Sequence, residues 1–279
     1  MAMVWTAGFA VAVAGGEPTR REDAMWYELF KRSIFAPYVR TAIRPWVIGA
    51  ENIPPEGGAI LAANHLNAAE AILLPASVSR RMTFAAKAEL FRGDRGPVSK
   101  LVAWFLTAVG QVPMDRSGGS ASASGLQPVL AALAAGGLVG IFPEGTRSPD
   151  GRLYKGKTGV ARLALASGAP VIPVGMVGTE TVRGPLGIPT LSRPGIIIGR
   201  PLDFGEYRGA RDQRTLRYVT DRIMAAIQDL TGQAYVDVYG SRVKHGDLQG
   251  VDVSDRALDH PGAGADDPPP IVPAAPDAG

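Results

Sequence analysis

Short apolar runs recur along the chain between residues 45 and 200, and they predict strands. They cover 45–50, 58–63, 82–87, 110–114, 138–142, 170–177 and 195–200. Runs rich in alanine and leucine lie between most of them and predict helices at 68–78, 98–108, 122–135 and 157–168, with a last helix at 212–231. We therefore predict an α/β fold, with a mostly parallel sheet of about seven strands flanked by helices. In such sheets ligands bind at the carboxyl ends of the strands.

An amphipathic helix is predicted within residues 25–44. At helical spacing its large apolar residues cluster on one side, at Trp26, Tyr27, Phe30, Ile34 and Tyr38. Glu28 and Arg32 lie on the other side, and Lys31 lies near the border. An aromatic face flanked by basic residues is typical of a helix lying on a membrane surface. The same pattern also fits a helix that covers the core of its own domain, so both interpretations stay open.

The two ends of the chain differ in character from its middle. We interpret residues 1–24 as a disordered extension and 45–245 as a single catalytic domain. Residues 246–279 are acidic, rich in proline and alanine, and almost without periodicity, which predicts a disordered tail.

The composition excludes some kinds of site but does not identify the function. The chain has no cysteine, which excludes disulfides, thiolate zinc sites and a cysteine nucleophile. Residues 241–279 carry a net charge of −4, so residues 1–240 stand at +7 within the overall +3. A basic body favours anionic partners such as phospholipid headgroups, phosphorylated substrates or nucleic acid. No run reaches the roughly 18 consecutive apolar residues typical of a membrane-spanning helix.

The first segment that carries chemistry runs from Asn64 to Glu70, directly after a predicted strand. An imidazole such as that of His65 is well suited to accept a proton near neutral pH, and a carboxylate on its other nitrogen would fix its tautomer. The spacing predicts His65 at the strand end and Glu70 in the first turn of the next helix. Alternatively, Asn67 and Glu70 form only a capping box at the helix start, and His65 is an ordinary polar residue.

A second such segment, Phe142 to Ser148, also follows an apolar run. Glycine and small hydroxyl residues after a strand let backbone N–H groups approach an anion, and Arg147 can bind phosphate oxygens in a bidentate fork. Alternatively, this is a surface turn in which Arg147 pairs with Glu144.

Together these segments resemble the motifs of the PlsC-type glycerolipid acyltransferases, the lysophosphatidic acid acyltransferase family. The family's first motif, an Asn-His followed after four residues by a carboxylate, is matched by Asn64, His65 and Glu70. The next motif is similar to the stretch 110–116, which ends in Arg116, and the third, Phe-Pro-Glu-Gly-Thr-Arg-Ser, stands unchanged at 142–148. The fourth is similar to Val171, Ile172, Pro173 and Val174. The four occur in family order, which makes the set far more specific than its parts.

The resemblance implies an O-acyltransferase in which His65 is the general base, Glu70 orients it and no acyl-enzyme forms. The donor would be acyl-CoA or acyl-carrier protein, and the acceptor lysophosphatidic acid or a related glycerophospholipid. The acceptor would be held by Asn64, Lys87, Arg116, Glu144, Gly145, Thr146 and Arg147, with the fourth motif on the acyl-chain side. We expect no metal, no cofactor and no nucleic acid partner. The expected location is a membrane surface with anionic lipids, on the cytoplasmic side, with peripheral or monotopic attachment.

Two residues depart from the family pattern. The family usually has Asp where this chain has Glu70, so the carboxylate sits one methylene further from the backbone. That change motivates a further hypothesis, a non-catalytic lipid-binding relative. Pro113 lies within a predicted strand, and since proline cannot donate to a sheet ladder it predicts an edge strand or a bulge.

A different class of protein is suggested by residues 151–158, which match the G-x-x-x-x-G-K-T pattern of a phosphate-binding P-loop. The pattern follows a turn instead of a buried strand, and bulky Leu153 and Tyr154 stand inside it. A nucleotide-binding protein that uses residues 151–158 is therefore kept only as the alternative to an acyltransferase. Otherwise Lys155 and Lys157 belong to a basic turn beside the active site.

Overall fold

The computed structural model describes residues 29, 33, 37, 39–87, 91–94, 96–97, 99–100, 103, 111–114, 126–183, 189–191, 193–264 and 267–271. The predicted extension at 1–24, most of 25–44 and most of the predicted helix at 98–108 lie outside these residues. The amphipathic helix therefore stays a prediction. Of that region, Val39–Ile43 form a short π-helix whose Val39 and Ile43 are buried.

A mixed sheet of seven described strands forms the centre of the domain. In chain order these are β1 (Trp46–Ile48), β2 (Ala59–Ala63), β3 (Met82–Lys87), β4 (Val112–Met114), β5 (Leu138–Ile141), β7 (Val171–Val177) and β10 (Gly195–Ile198), with β6 (Leu153–Tyr154) in a separate small sheet. Their spatial order is β1-β10-β7-β2-β5-β3-β4. The five strands from β7 to β4 run parallel, while β10 is antiparallel to β7 and carries β1 beside it. The predicted α/β class with a mostly parallel sheet is confirmed.

Each of these seven strands lies within one of the predicted ranges. Strands buried on both faces read as continuous apolar runs, and β2 and the first six residues of β7 are buried throughout. Pro113 lies in β4, which ends the sheet and pairs, among the described strands, with β3 alone. The edge position predicted from this proline is confirmed.

Five α-helices that are described along their whole length accompany the sheet: α1 (Glu70–Ser77), α2 (Gln127–Ala134), α3 (Gly159–Ser167), α4 (Gln213–Thr231) and α5 (Gly240–His245). The longest, α4, begins where the Asp212 carboxylate accepts a hydrogen bond from the Thr215 N–H at 2.8 Å, and it ends at Gly232 in the left-handed conformation. Within the part of the chain that the structure describes, no helix combines the length and apolarity required to cross a bilayer.

Two apolar clusters cover the two faces of the sheet. Because side chains alternate along a strand, Ile60 and Ala62 of β2 face one cluster, which includes the apolar sides of α2, α3 and α4. Ala59, Leu61 and Ala63 face the other cluster, which includes α1 and the π-helix. The sheet is thus covered on both faces, and its strand ends are left to form a site.

Residues beyond 232 add a second, smaller sheet. Strand β11 (Tyr235–Val236) lies between β6, to which it runs parallel, and β12 (Ala257–Leu258). We expected a disordered tail from residue 246, but 246–264 include β12 and the buried Val253. The boundary was placed too early, because single apolar residues in an otherwise polar stretch give no periodic pattern. A further pair, β8 (Thr181–Arg183) and β9 (Pro189–Leu191), is antiparallel.

Candidate active site

His65 and Glu70 meet at the carboxyl end of β2. The strand ends at Ala63 and α1 begins at Glu70, so the predicted placement of both residues is confirmed. The His65 Nδ1 lies 2.8 Å from Glu70 Oε2. Because an ionised carboxylate only accepts hydrogen bonds, this contact favours the tautomer with the proton on Nδ1 and with Nε2 as the basic nitrogen.

The Glu70 carboxylate is fully buried and accepts from three donors. Besides His65, the Leu66 backbone N–H donates to it at 3.0 Å, and the Thr179 hydroxyl donates to Oε1. Glu70 therefore binds a backbone N–H near the helix start, as the alternative interpretation had it, and also orients the imidazole. Asn67 Oδ1 also accepts from the Ala69 N–H at 3.0 Å. The helix start is thus stabilised by side chains of both residues, and Glu70 contacts His65 in addition.

The backbone of His65 is held by the turn at Phe142–Ser148. Its N–H donates to Glu144 Oε2 at 2.9 Å, and its carbonyl accepts from the Ser148 N–H at 2.7 Å. The imidazole stacks on Phe142 with ring centroids 3.9 Å apart and retains 16% side-chain exposure. The two predicted segments thus form one unit that fixes the imidazole and leaves part of it accessible.

Glu144 acts inside this unit. It is 1% exposed, and its second oxygen accepts from the Tyr154 N–H at 3.0 Å. Burial raises the pKa of Glu144 to about 8. The two backbone hydrogen bonds act to lower this pKa, and the nearby charges of Glu70 and Asp150 act to raise it. The expectation that Glu144 holds the acceptor is corrected, because both carboxyl oxygens face the backbone and no surface is left for a ligand.

Asn64 is also structural. Its Oδ1 accepts from the Met176 N–H at 2.7 Å, while Nδ2 donates to the Met176 carbonyl at 2.9 Å and to Gln233 Oε1 at 2.8 Å. The side chain is fully buried. These contacts correct the expectation that Asn64 binds substrate: its amide replaces a backbone peptide and continues the pairing of β2 with β7.

The turn itself is shaped by Gly145. The Gly145 N–H donates to the Phe142 carbonyl at 3.0 Å, and its φ of 72° lies in the left-handed region that favours glycine. A Cβ here would lie 3.0 Å from Lys157 Cε. Lys157 therefore passes directly over the turn, which supports the interpretation of its segment as a basic turn beside the site.

Two cations lie at the outer side of the turn. Arg147 is exposed, and Lys244 of α5 donates from Nζ to the Arg147 carbonyl at 3.1 Å. Partial burial and the Arg147 charge both lower the pKa of Lys244. Two neighbouring cations favour a bound anion, as predicted for Arg147 alone. Lys244 was missed because it lies 97 residues away in sequence from Arg147.

Comparison with known proteins shows which proteins this chain is similar to. A sequence model of the family described as Acyltransferase matches residues 44–177. A 1-acyl-sn-glycerol-3-phosphate acyltransferase of Bacillus subtilis is 28% identical over 66% of this chain and 86% of its own length. A chloroplastic 1-acyl-sn-glycerol-3-phosphate acyltransferase of Brassica napus is 29% identical over 60% of this chain and 46% of its own length.

The chain is thus similar to the PlsC-type acyltransferases over about half of its length, in agreement with the resemblance of its motifs. It spans less than half the length of the two chloroplastic relatives it matches, from Brassica napus and Arabidopsis thaliana. The crystal structure of the 1-acyl-sn-glycerophosphate acyltransferase PlsC from Thermotoga maritima covers 78% of this chain and 85% of that one, with a TM-score of 0.53 and 24% identity. That likeness supports the fold.

The remaining predicted site residues lie in different parts of the fold. Lys87 is the last residue of β3, at the same sheet edge as His65, and Arg116 lies outside the described residues. Thr146 packs through Cγ2 against Gly240, where an added Cβ would lie 3.3 Å away. Val171, Ile172, Pro173 and Val174 are buried in β7. Their assignment to the acyl-chain side stays a prediction.

The P-loop alternative is not supported by the conformation of residues 151–158. Leu153 and Tyr154 form β6 and are fully buried, and Gly156 packs against Met224 of α4. Lys155 pairs with Asp237 at 2.9 Å. A P-loop must wrap its backbone N–H groups around phosphate, which a segment built into a strand and a core cannot do.

Thr179 is a further site residue that the sequence did not indicate. It lies two residues beyond β7 and is fully buried against Glu70. The rule that ligands gather beyond the carboxyl ends of parallel strands would have directed attention to it, since β7 neighbours β2. No local motif marks it.

Proposed function

We propose that this chain transfers a fatty acyl group from acyl-CoA or acyl-carrier protein to the free hydroxyl of lysophosphatidic acid or a related lysophospholipid. The observation that carries the proposal is the 2.8 Å contact between His65 Nδ1 and a buried carboxylate, beside a turn with two neighbouring cations. The acceptor class is supported by relatives that are named 1-acyl-sn-glycerol-3-phosphate acyltransferases.

His65 acts as general base in one direct transfer. Nε2 takes the proton from the acceptor hydroxyl as its oxygen attacks the thioester carbonyl. The carbon–sulfur bond breaks, the thiolate leaves and the imidazolium returns the proton to it, so an ester and a free thiol are formed. Glu70 stabilises the imidazolium, and its extra methylene does not prevent the contact with Nδ1. This intact pair argues against a non-catalytic relative.

The acceptor phosphate is assigned to the cationic side of the turn. Arg147 offers planar donors for phosphate oxygens, and Lys244 adds a second charge. Gly145 leaves room for the Lys157 side chain over the turn, which brings a further cation close to it. Arg116 stays in the proposal as a further phosphate ligand because it ends the second motif, and Lys87 stays as a weaker candidate that the resemblance implies.

We place the reaction at the cytoplasmic surface of a membrane, with peripheral or monotopic attachment. An acceptor with one acyl chain resides at the bilayer surface, and the enzyme must reach it there. The edge strand β1 exposes Trp46, Val47 and Ile48, with 40%, 36% and 59% exposure. An exposed apolar edge supports contact with lipid.

The test is transfer of labelled acyl-CoA to a panel of lysophosphatidic acid, other lysophospholipids and glycerol 3-phosphate. We expect the highest kcat/KM for lysophosphatidic acid or a close analogue. His65→Ala should lower kcat by about 10²–10⁴, the usual worth of general-base catalysis. Protein incubated with labelled acyl-CoA alone should retain no covalent label, because no acyl-enzyme forms.

The matched control is His260→Ala, which removes an exposed histidine of the C-terminal segment and should leave kcat unchanged. Undiminished turnover in His65→Ala would remove the imidazole from the mechanism. Absence of transfer to every acceptor by the wild-type protein would refute the proposed function.

A further inference from the structure

The carboxylate that orients His65 is itself oriented by a hydroxyl group. Thr179 Oγ1 donates to Glu70 Oε1 at 2.5 Å, and both side chains are fully buried. The other oxygen, Oε2, accepts from His65 Nδ1 at 2.8 Å and from the Leu66 N–H at 3.0 Å. Each oxygen thus has a defined partner, which fixes the rotation of the carboxylate.

The long side chain of Glu70 makes this second anchor necessary. Glutamate has one more rotatable bond than aspartate, so its carboxylate has more orientations to lose. Without the Thr179 hydroxyl, Oε1 would keep only the weaker Leu66 N–H contact at 3.2 Å. The carboxylate would then rotate, and His65 Nδ1 would lose a partner fixed in one direction.

The position of Thr179 is also well fixed. Three residues earlier, Met176 exchanges two hydrogen bonds with the Asn64 amide, next to His65 in the chain. These two bonds therefore join the end of β7 to the end of β2, close to the His65–Glu70 pair. The Thr179 hydroxyl lies just after β7, the Glu70 carboxylate at the start of α1, and the His65 imidazole just after β2. The three groups meet at one point of the sheet edge.

We propose that Thr179 is a positioning residue for the transfer reaction, which holds the Glu70 carboxylate so that His65 keeps its proton on Nδ1 and presents Nε2 to the acceptor. This inference rests on the proposed function. It assigns Thr179 no contact with substrate.

Thr179→Val removes the hydroxyl at nearly constant volume, and Thr179→Ser keeps it. We expect Thr179→Val to lower kcat by about tenfold to hundredfold, the worth of a hydrogen bond to a charged group. KM for the acceptor should stay unchanged, because no binding contact is lost, and Thr179→Ser should restore most of kcat. Thr179→Ala replaces the valine variant if that variant does not fold.

Thr220→Val is the matched control. Thr220 is equally buried, but its hydroxyl donates to the Leu216 carbonyl within α4. It should keep the wild-type kcat. A wild-type kcat in Thr179→Val, or an equal loss in Thr179→Ser and Thr179→Val, would overturn the proposal.

A double-mutant cycle tests the link to the length of Glu70. Aspartate at position 70 withdraws the carboxylate by one methylene, so we expect it not to keep both the His65 and the Thr179 contacts that Glu70 makes. In the Glu70→Asp background, Thr179→Val should therefore change kcat by less than about twofold, a clear departure from additivity. Additive losses would contradict the proposed coupling.

A readout independent of activity separates this inference from the proposed function. The chain has three histidines, so ¹⁵N-histidine labelling gives few ring signals, and His65→Ala assigns the one of interest. With the imidazole neutral, we expect a single Nδ1–H tautomer in the wild type and a tautomer mixture in Thr179→Val. Identical ring shifts would overturn the inference. Altered shifts in a protein that transfers no acyl group would support it while refuting the function.

Discussion

At the scale of single residues, the chemistry of the site depends on two carboxyl groups in contrasting roles. Glu70 faces the imidazole and accepts from three donors, two of which are side chains. Glu144 faces the backbone on the other side of His65 and accepts from two peptide N–H groups. Burial raises the pKa of Glu144 to about 8, while its two backbone hydrogen bonds act to lower it.

This raised pKa predicts a pH dependence of stability. An acid whose pKa rises from its ordinary value of 4.5 to about 8 on folding binds more protons in the folded state between those values. Its contribution is therefore full below about pH 4.5 and is lost as the pH rises through about 8. Since one pKa unit corresponds to about 1.4 kcal/mol, we expect the free energy of unfolding to fall by a few kcal/mol between pH 5 and pH 8.5.

Urea unfolding of the wild type and Glu144→Gln across this range checks the prediction. The variant cannot ionise at position 144, so its stability should depend much less on pH. It should also be less stable at pH 5, because the amide NH₂ must face a backbone N–H. Equal pH slopes in the two proteins would assign the titration to another group.

At the scale of elements, the pairing of β2 with β7 continues past the end of β2 through a side chain. Ala63 is the last residue of β2 paired in register with β7, at Val174, and the Asn64 amide then bonds both the N–H and the carbonyl of Met176. The chain can turn away toward His65 while the Met176 peptide stays satisfied. A buried peptide left without these partners would cost stability.

Asn64→Asp is expected to destabilise the fold strongly. The shape is preserved, but the two hydrogen bonds donated by Nδ2 are lost, and a buried carboxylate faces the Met176 carbonyl and Gln233 Oε1. We expect a loss of about 3 kcal/mol. Asn52→Asp is the control, since Asn52 donates one partly buried bond to the Ile198 carbonyl, and it should lose about 1 kcal/mol or less.

Chemical denaturation of both variants at one pH measures the difference. Equal losses would show that the Asn64 amide does not carry the continuation of the sheet.

The strands and the larger helices were predictable because their signals are local. β2 and β7 are apolar throughout, and α4 has both a capping aspartate and a terminating glycine. His65 and Glu70 were predictable for a similar reason, since they lie five residues apart and share a motif.

Contacts between distant parts of the chain leave no such signal. Asn64 bonds Met176 across 112 positions, and Thr179 bonds Glu70 across 109. A polar residue next to a catalytic histidine suggests a ligand, and only the fold shows that Asn64 belongs to the sheet. For Glu144 the motif indicated the segment beside His65, but it suggested a ligand where the carboxylate binds two backbone N–H groups. The burial of a side chain cannot be read from the sequence of a turn.

At the scale of the whole molecule, the C-terminal segment is connected to the active site through the core. Val253 packs in a cluster with Tyr154, Val236 and Val238. The Tyr154 N–H donates to Glu144, and Glu144 accepts from the His65 N–H. The segment after residue 246 therefore supports β6, and β6 supports Glu144, which holds the backbone of His65.

Two valines of this segment give a matched test of that role. Val253 is 1% exposed and Val251 is 49% exposed, two residues apart in the same stretch. Val253→Ala removes two buried methyl groups and leaves a cavity beside Tyr154, which should cost about 2 kcal/mol. Val251→Ala should change the stability by no more than about 0.5 kcal/mol, as is usual for surface positions. Thermal unfolding of the two full-length variants distinguishes them, because a tail without structure would make the two substitutions equally silent.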